Sequence, residues 1–169
     1  YFQKIDTLSV AFGVLHNNDD VSKLSLRALC EKFEIQNCYD SHTHFVATGQ
    51  TSLGLHLQDL KSALDIKNKI IKPEYFQGHW ITGFGWDQYL WTDSSLPTKD
   101  ILDSIFPNTP AFLSRVDGHA SWINSAAIVE LKRNHYNFDR DPVGGKIERD
   151  IHGNPTGVLF DQAHIQALL

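Results

Sequence analysis

The chain contains no methionine and only two cysteines, Cys30 and Cys38, in 169 residues. One pair with no Cys-x-x-Cys spacing excludes a cysteine-built zinc module and a disulfide-stapled secreted scaffold. It reads most simply as two reduced thiols of a cytoplasmic protein, though a disulfide between them stays open. No apolar run approaches the roughly 20 residues that a membrane-spanning helix requires, and no signal peptide is visible. Basic residues are in the minority, 15 Lys and Arg against 20 Asp and Glu, for a formal net charge of −5. Without a Lys/Arg cluster the chain lacks the electrostatic footprint of a nucleic-acid or membrane-surface binder, so neither partner is expected. Internal repeats and low-complexity tracts are missing too, which fits a soluble enzyme domain.

Histidine, by contrast, is plentiful, with nine copies. Two stand in the run Tyr39-Asp40-Ser41-His42-Thr43-His44-Phe45. On a strand, successive side chains alternate faces, so His42 and His44 would point the same way and offer two imidazoles to one cation. Neutral imidazoles suit Zn²⁺ or a similar divalent ion, which lowers the pKa of a bound water to about 7 and makes hydroxide available at neutral pH. The bare pair is weak, because nine histidines in a chain of this length give roughly half a His-x-His by chance. Two interior histidines satisfied by hydrogen bonds are the alternative. Asp40 suits orientation of a metal-binding imidazole, or capping of loop backbone. Downstream, Leu53, Leu57, Leu60 and Leu64 recur at helical spacing, with Thr51 or Ser52 as N-cap. The histidines are thus expected to end a strand that leads by a loop into an amphipathic helix, the first unit of an α/β barrel.

Further motifs follow in order: Gly83-Phe84-Gly85-Trp86-Asp87; Arg115-Val116-Asp117-Gly118-His119 with Trp122-Ile123-Asn124-Ser125-Ala126; Gly144-Gly145-Lys146-Ile147; and Gly153-Asn154-Pro155-Thr156-Gly157-Val158-Leu159. With the Asp40 to Phe45 run, they resemble the N-terminal part of the third amidohydrolase family. This branch of the metal-dependent amidohydrolase superfamily includes N-substituted formamide deformylase-like proteins. The resemblance covers residues 39 to 165. It implies a hydrolase that cleaves the C–N bonds of amides or cyclic amides by metal-activated water, with one or two divalent ions and a small-molecule amide substrate. A homo-oligomer stays open. In the superfamily the remaining ligands are a carboxylated lysine or another bridging residue, two further histidines, and an aspartate that doubles as general base. They come from later strands and have no match in this chain, so the chain alone is expected to be catalytically incomplete.

The implied fold class is α/β, a partial (β/α)8 TIM barrel with a small N-terminal β-rich subdomain. A complete barrel takes about 250 residues, and the smallest about 200, so a fragment is expected. The family's Pro-Gly-Phe-like lead-in is also missing before Asp40, where Asn37-Cys38-Tyr39 stands instead. Residues absent at internal joins would explain that. The opening Tyr1-Phe2-Gln3 reads as the end of a protease-cleavable expression tag. Residues 4–38 are expected to form part of the β-rich subdomain, with Leu8 to Gly13 as a short strand, or a short helix begun by Asp19-Asp20. Residues 39–169 are expected to hold the first β/α units. Strands are predicted over 79–86 and 110–116, a short helix over 97–103, a helix over 121–135, and a hairpin insertion over 143–160 turning at His152-Gly153-Asn154-Pro155.

Arg115, Asp117 and His119 stand at i, i+2 and i+4 at the end of the second of those strands. The resemblance places them at the active-site rim, where Arg or His would bind a substrate carbonyl or carboxylate and stabilise developing negative charge. The alternative is an internal Arg115–Asp117 ion pair, with His119 starting the next helix. Trp86, Asp87, Trp122 and Asn124 read as a substrate pocket wall or as core, with Asn124 able to hold a loop through side-chain bonds to backbone. Two rivals remain. One is a metal-dependent phosphoesterase barrel, which the scarcity of basic residues for phosphate opposes. The other is a non-catalytic regulatory module that keeps the histidines without the ligands for turnover.

Overall fold

The structure, a computed structural model, describes Gly49 and residues 53–168. The chain divides into two compact units, Tyr1–Thr43 and His44–Leu169, and everything below belongs to the second. The expected β-rich subdomain and the run carrying Asp40, His42 and His44 lie outside the described residues.

The described residues form one mixed α/β sheet. Its strands are β1 (Leu55–His56), β2 (Phe76–Gln77), β3 (Trp80–Trp86), β4 (Ala111–Arg115), β5 (Ala120–Ile123), β6 (Gly145–Arg149) and β7 (Pro155–Asp161). The helices are α1 (Lys99–Asp103), α2 (Ser125–Arg133) and α3 (Gln162–Leu168). The strand order is β1-β3-β4-β5-β7-β6, with β2 added antiparallel to β3. β1, β3 and β4 run parallel, whereas β5, β7 and β6 continue the sheet antiparallel. The predicted hairpin is present, and β7 pairs with β5, so it extends this sheet. No helix among the described residues is long and apolar enough to cross a membrane.

Two predicted helices are different in the structure. The leucine repeat from Leu53 to Leu64 does not form an amphipathic helix. Leu55 and His56 pair with Gly83 and Phe84 as β1, and the Leu57 N–H continues the pairing to the Phe84 carbonyl at 3.0 Å. Leu55 and Leu57 are buried on one side of His56, which is strand alternation, while Leu53 and Leu64 stay exposed. An edge beside β3 supplies the backbone partners that one isolated helical turn would have to generate internally. The second helix starts at Ser125 rather than at 121, because residues 120–123 are taken into the sheet between β4 and β7.

A bulge decides where the aromatic residues go. Ile81 and Gly83 face one side of β3, and strict alternation would send Trp86 to the opposite side with Thr82 and Phe84. The β3–β4 register shifts between Phe84 and Trp86, at Gly85, whose φ of 103° suits glycine. The extra residue turns Trp86 back to the Ile81 side. There it meets Trp91 (ring centroids 6.0 Å apart) and Trp122 (6.4 Å, edge-on), with Trp91 and Trp122 also 6.4 Å apart. Trp86 donates its indole N–H to the Leu113 carbonyl at 2.8 Å, and Trp122 donates to the Thr98 carbonyl at 2.9 Å. Leu55, Leu57, Ile66, Ile81, Leu102, Leu113 and Val158 complete this core. A second core on the other face packs Phe112, Ile123, Ile147 and Leu159 against Ala127, Ile128 and Leu131 of α2 and Ala163 of α3.

Asn124 joins the sheet to α2. Its Oδ1 accepts the N–H groups of Ala111 (3.0 Å) and Ala127 (2.9 Å), the second being an N-cap bond, and its Nδ2 donates to the carbonyls of Phe106 and Thr109 (2.8 Å each). Asp103, at the end of α1, accepts both the N–H and the hydroxyl of Ser125. Since Asn124 is fully buried, Asn124→Ala leaves several backbone groups unpaired at once. Urea unfolding should register a loss of roughly 2–4 kcal/mol, and an unchanged midpoint would contradict this role.

Candidate functional site

The parallel strands β3 and β4 end at Trp86 and Arg115, beside the start of β5 and the end of β7. The connection from β4 to β5 is a tight turn in which Gly118, at φ 72°, donates its N–H to the Arg115 carbonyl at 3.0 Å. This brings Arg115, Asp117 and His119 together around a turn, where the i, i+2, i+4 spacing suggests one face of a strand end. Their roles in the turn differ from one another.

The Arg115 side chain is only 13 % exposed. Its Nε donates to Asp117 Oδ1 (2.9 Å) and a terminal nitrogen donates to Asp117 Oδ2 (2.7 Å), a two-point ion pair. Its guanidinium lies 5.9 Å from the Trp86 ring centre and 5.5 Å from that of Phe160, so two aromatic faces hold it. The internal ion pair of the alternative reading is therefore present, and Asp117 spends a further lone pair on the backbone N–H of His119 (3.0 Å). Burial pushes the Asp117 carboxyl up, but the bonds from Arg115 and the His119 N–H outweigh it and hold the group below the usual carboxylate range.

His119 ends the turn immediately before β5, and no helix starts there. Its ring Nδ1 stands 3.1 Å from Asp161 Oδ1 at the end of β7, and the side chain remains 68 % exposed. Chemically, the group on offer is an exposed imidazole held at one nitrogen by a carboxylate. Asp161 was not singled out in the sequence; the usable signal was a carboxylate just after the hairpin predicted over 143–160. His164 is buried in α3 against the Phe112 ring, with ring centroids 5.7 Å apart. Its Nδ1 has no hydrogen-bond partner among the described residues. Burial pushes this imidazole below its ordinary pKa, with His119 and Arg115 adding to the effect and Asp117 and Asp161 opposing it.

The expected pocket wall is placed mostly elsewhere. Trp86, Trp122 and Asn124 have no exposed surface and belong to the core, for the reasons of bulge, tryptophan packing and capping given above. Asp87 is half-buried and caps the turn at 88–90 by accepting the Tyr89 N–H at 3.0 Å. Asp40, His42 and His44 fall outside the described residues.

An α/β sheet of this kind occurs in a metal-dependent hydrolase from Pyrococcus horikoshii. That structure is similar over 76 % of this chain and 23 % of its own, with a TM-score of 0.50 and 24 % identity, a likeness of fold. The chain belongs to the amidohydrolase family, whose sequence model matches residues 39–168. Among curated proteins it is 36 % identical to YtcJ of Bacillus subtilis, named as an amidohydrolase, over 73 % of this chain and 23 % of YtcJ. It is also 36 % identical to the N-substituted formamide deformylase of Arthrobacter pascens, over 51 % of this chain and 16 % of that enzyme. The chain thus spans less than a quarter of these relatives.

Because the folded-state Asp117 carboxyl titrates lower than an ordinary one, its contribution to stability is present above the ordinary carboxylate range, near pH 4, and is lost as pH falls below it. Urea titrations from pH 6 down to pH 2 should therefore show Asp117→Asn lowering the midpoint at pH 6 and converging on the parent at the acid end. Parallel curves at all pH values would remove the ion pair from the stability of this turn.

Proposed function

We propose that the chain is part of a metal-dependent amidohydrolase that hydrolyses C–N bonds other than peptide bonds in small amides or cyclic amides. The observation that carries this reading is the family match over residues 39–168, which contains the His42-x-His44 pair. The deformylase named among the relatives acts on N-substituted formamides, which supports an amide substrate class. The parent architecture proposed is a (β/α)8 barrel, to which parallel β1, β3 and β4 would contribute the first strands. A cytoplasmic location completes the proposal.

Among the described residues no group of three or more His, Cys, Asp or Glu could hold a metal ion. The proposed ligands are therefore His42 and His44, oriented by Asp40, with the rest of the set supplied by the remainder of the whole protein. One or two divalent ions, zinc first, would furnish a water that ionises near pH 7. The described residues would serve the same reaction. Arg115 and Asp117 hold the turn, and the exposed His119 imidazole can accept or exchange a proton at its free nitrogen.

Metal content of the whole protein is the first test. His42→Ala combined with His44→Ala should abolish stoichiometric metal, and unchanged content would overturn the ligand assignment. His119→Ala should leave metal content intact while lowering turnover of an N-substituted formamide or cyclic amide by roughly 10²- to 10⁴-fold, the usual contribution of general acid–base catalysis. Loss of metal in that variant would make His119 a ligand instead.

A further inference from the structure

We infer that Asp161 is a positioning residue for His119, fixing its imidazole in the tautomer that carries the proton on Nδ1 and leaves Nε2 as the exposed acceptor. The inference deepens the hydrolase reading, since the role of His119 in turnover rests on that reading.

Three observations converge on it. The first is contact geometry: the two residues meet twice, through the Asp161 N–H donated to the His119 carbonyl at 2.8 Å and through the His119 Nδ1 to Asp161 Oδ1 approach at 3.1 Å. A carboxylate can only accept, so the ring nitrogen facing it must donate, and a neutral imidazole with hydrogen on Nδ1 has its lone pair on Nε2.

The second is backbone strain. Asp161 adopts φ 48°, one of two non-glycine residues with positive φ among the described residues. Such a conformation costs of order 1–3 kcal/mol and persists only where the surroundings over-determine it, often at functional sites. Here Gln162 donates its N–H to the Gly144 carbonyl (3.3 Å) just beyond, and the clasp with His119 holds the near side. β7 thus ends in a conformation that L-residues rarely adopt, with its carboxylate against an exposed histidine.

The third is that the charges around His119 have other duties. From the β4–β5 turn, Asp117 binds Arg115 with both oxygens and uses its remaining contact on the His119 backbone N–H. From α3, His164 is buried against Phe112. Asp161 is left as the carboxylate that addresses the His119 ring itself. Asp117 therefore positions the main chain of His119 and Asp161 its imidazole, the arrangement by which a carboxylate partner sets tautomer and ring orientation in histidine sites generally.

The test is long-range ¹H–¹⁵N correlation on the whole protein with labelled histidine, at about pH 8, where an ordinary imidazole is neutral. His119→Gln identifies the His119 signals. The parent protein should show His119 with protonated Nδ1 and unprotonated Nε2, and Asp161→Gly should shift the population toward Nε2–H. Glycine suits the positive φ, so this substitution removes the carboxylate without adding backbone strain. Protonated Nε2 in the parent protein overturns the inference whatever the variant does, and so does a tautomer unchanged by Asp161→Gly. No turnover is required, so a failure of the hydrolase reading would appear in the metal and activity measurements and leave this readout standing.

Discussion

The contact among Trp86, Trp91 and Trp122 is the interaction on which the described fold depends. Trp86 ends β3, Trp91 follows the turn after it, and Trp122 lies in β5, so the cluster ties the parallel part of the sheet to its antiparallel continuation. Large aromatic rings contribute through the area they bury, and edge-on pairs add about 0.5–1.5 kcal/mol each beyond that. The cluster exists because Gly85 accepts a bulge. A residue with a β-carbon there would meet the Gln58 side chain at 2.6 Å and would also have to adopt positive φ, so the strand end and the core beneath it are set together.

Immediately above that core the same bulge delivers the rim. Trp86 offers a ring face to Arg115, Phe160 offers another, and the guanidinium between them anchors Asp117. From Asp117 the order passes to the His119 backbone, and from Asp161 to its ring. An exposed ion pair alone would be worth little, but this one is mostly sheltered on the arginine side and shares its acceptors with the backbone. Apolar packing thereby becomes the orientation of one exposed imidazole.

Much of the strand pattern was legible in the residues. The apolar, glycine-bounded run at 80–86, the proline-led run at 111–115 and the hairpin around Gly153-Asn154 all carry local signals of period, breaker and turn, and all three are present. The leucine repeat at 53–64 misled because short apolar spacings fit both periods. Leu55 and Leu57 satisfy strand alternation as well as Leu53 and Leu57 satisfy a helix, and the β3 edge decided between them. Asn124 shows the same limit in a polar residue: its chemistry allowed a loop-holding role or a pocket wall, and only the positions of Ala111, Phe106 and Thr109 select the first.

The sequence by itself determined the family, through motifs whose order and spacing survive without coordinates, and it marked Arg115, Asp117 and His119 as neighbours at a strand end. Tertiary structure decided what each does there. Asp161 lies 42 positions from His119 and enters the site only because β7 pairs with β5, while Trp86 joins the tryptophan cluster only because a bulge reverses its face. Local spacing encodes which residues are neighbours along a strand. Which carboxylate reaches which imidazole is set by strand pairing and register, and these depend on the whole sheet.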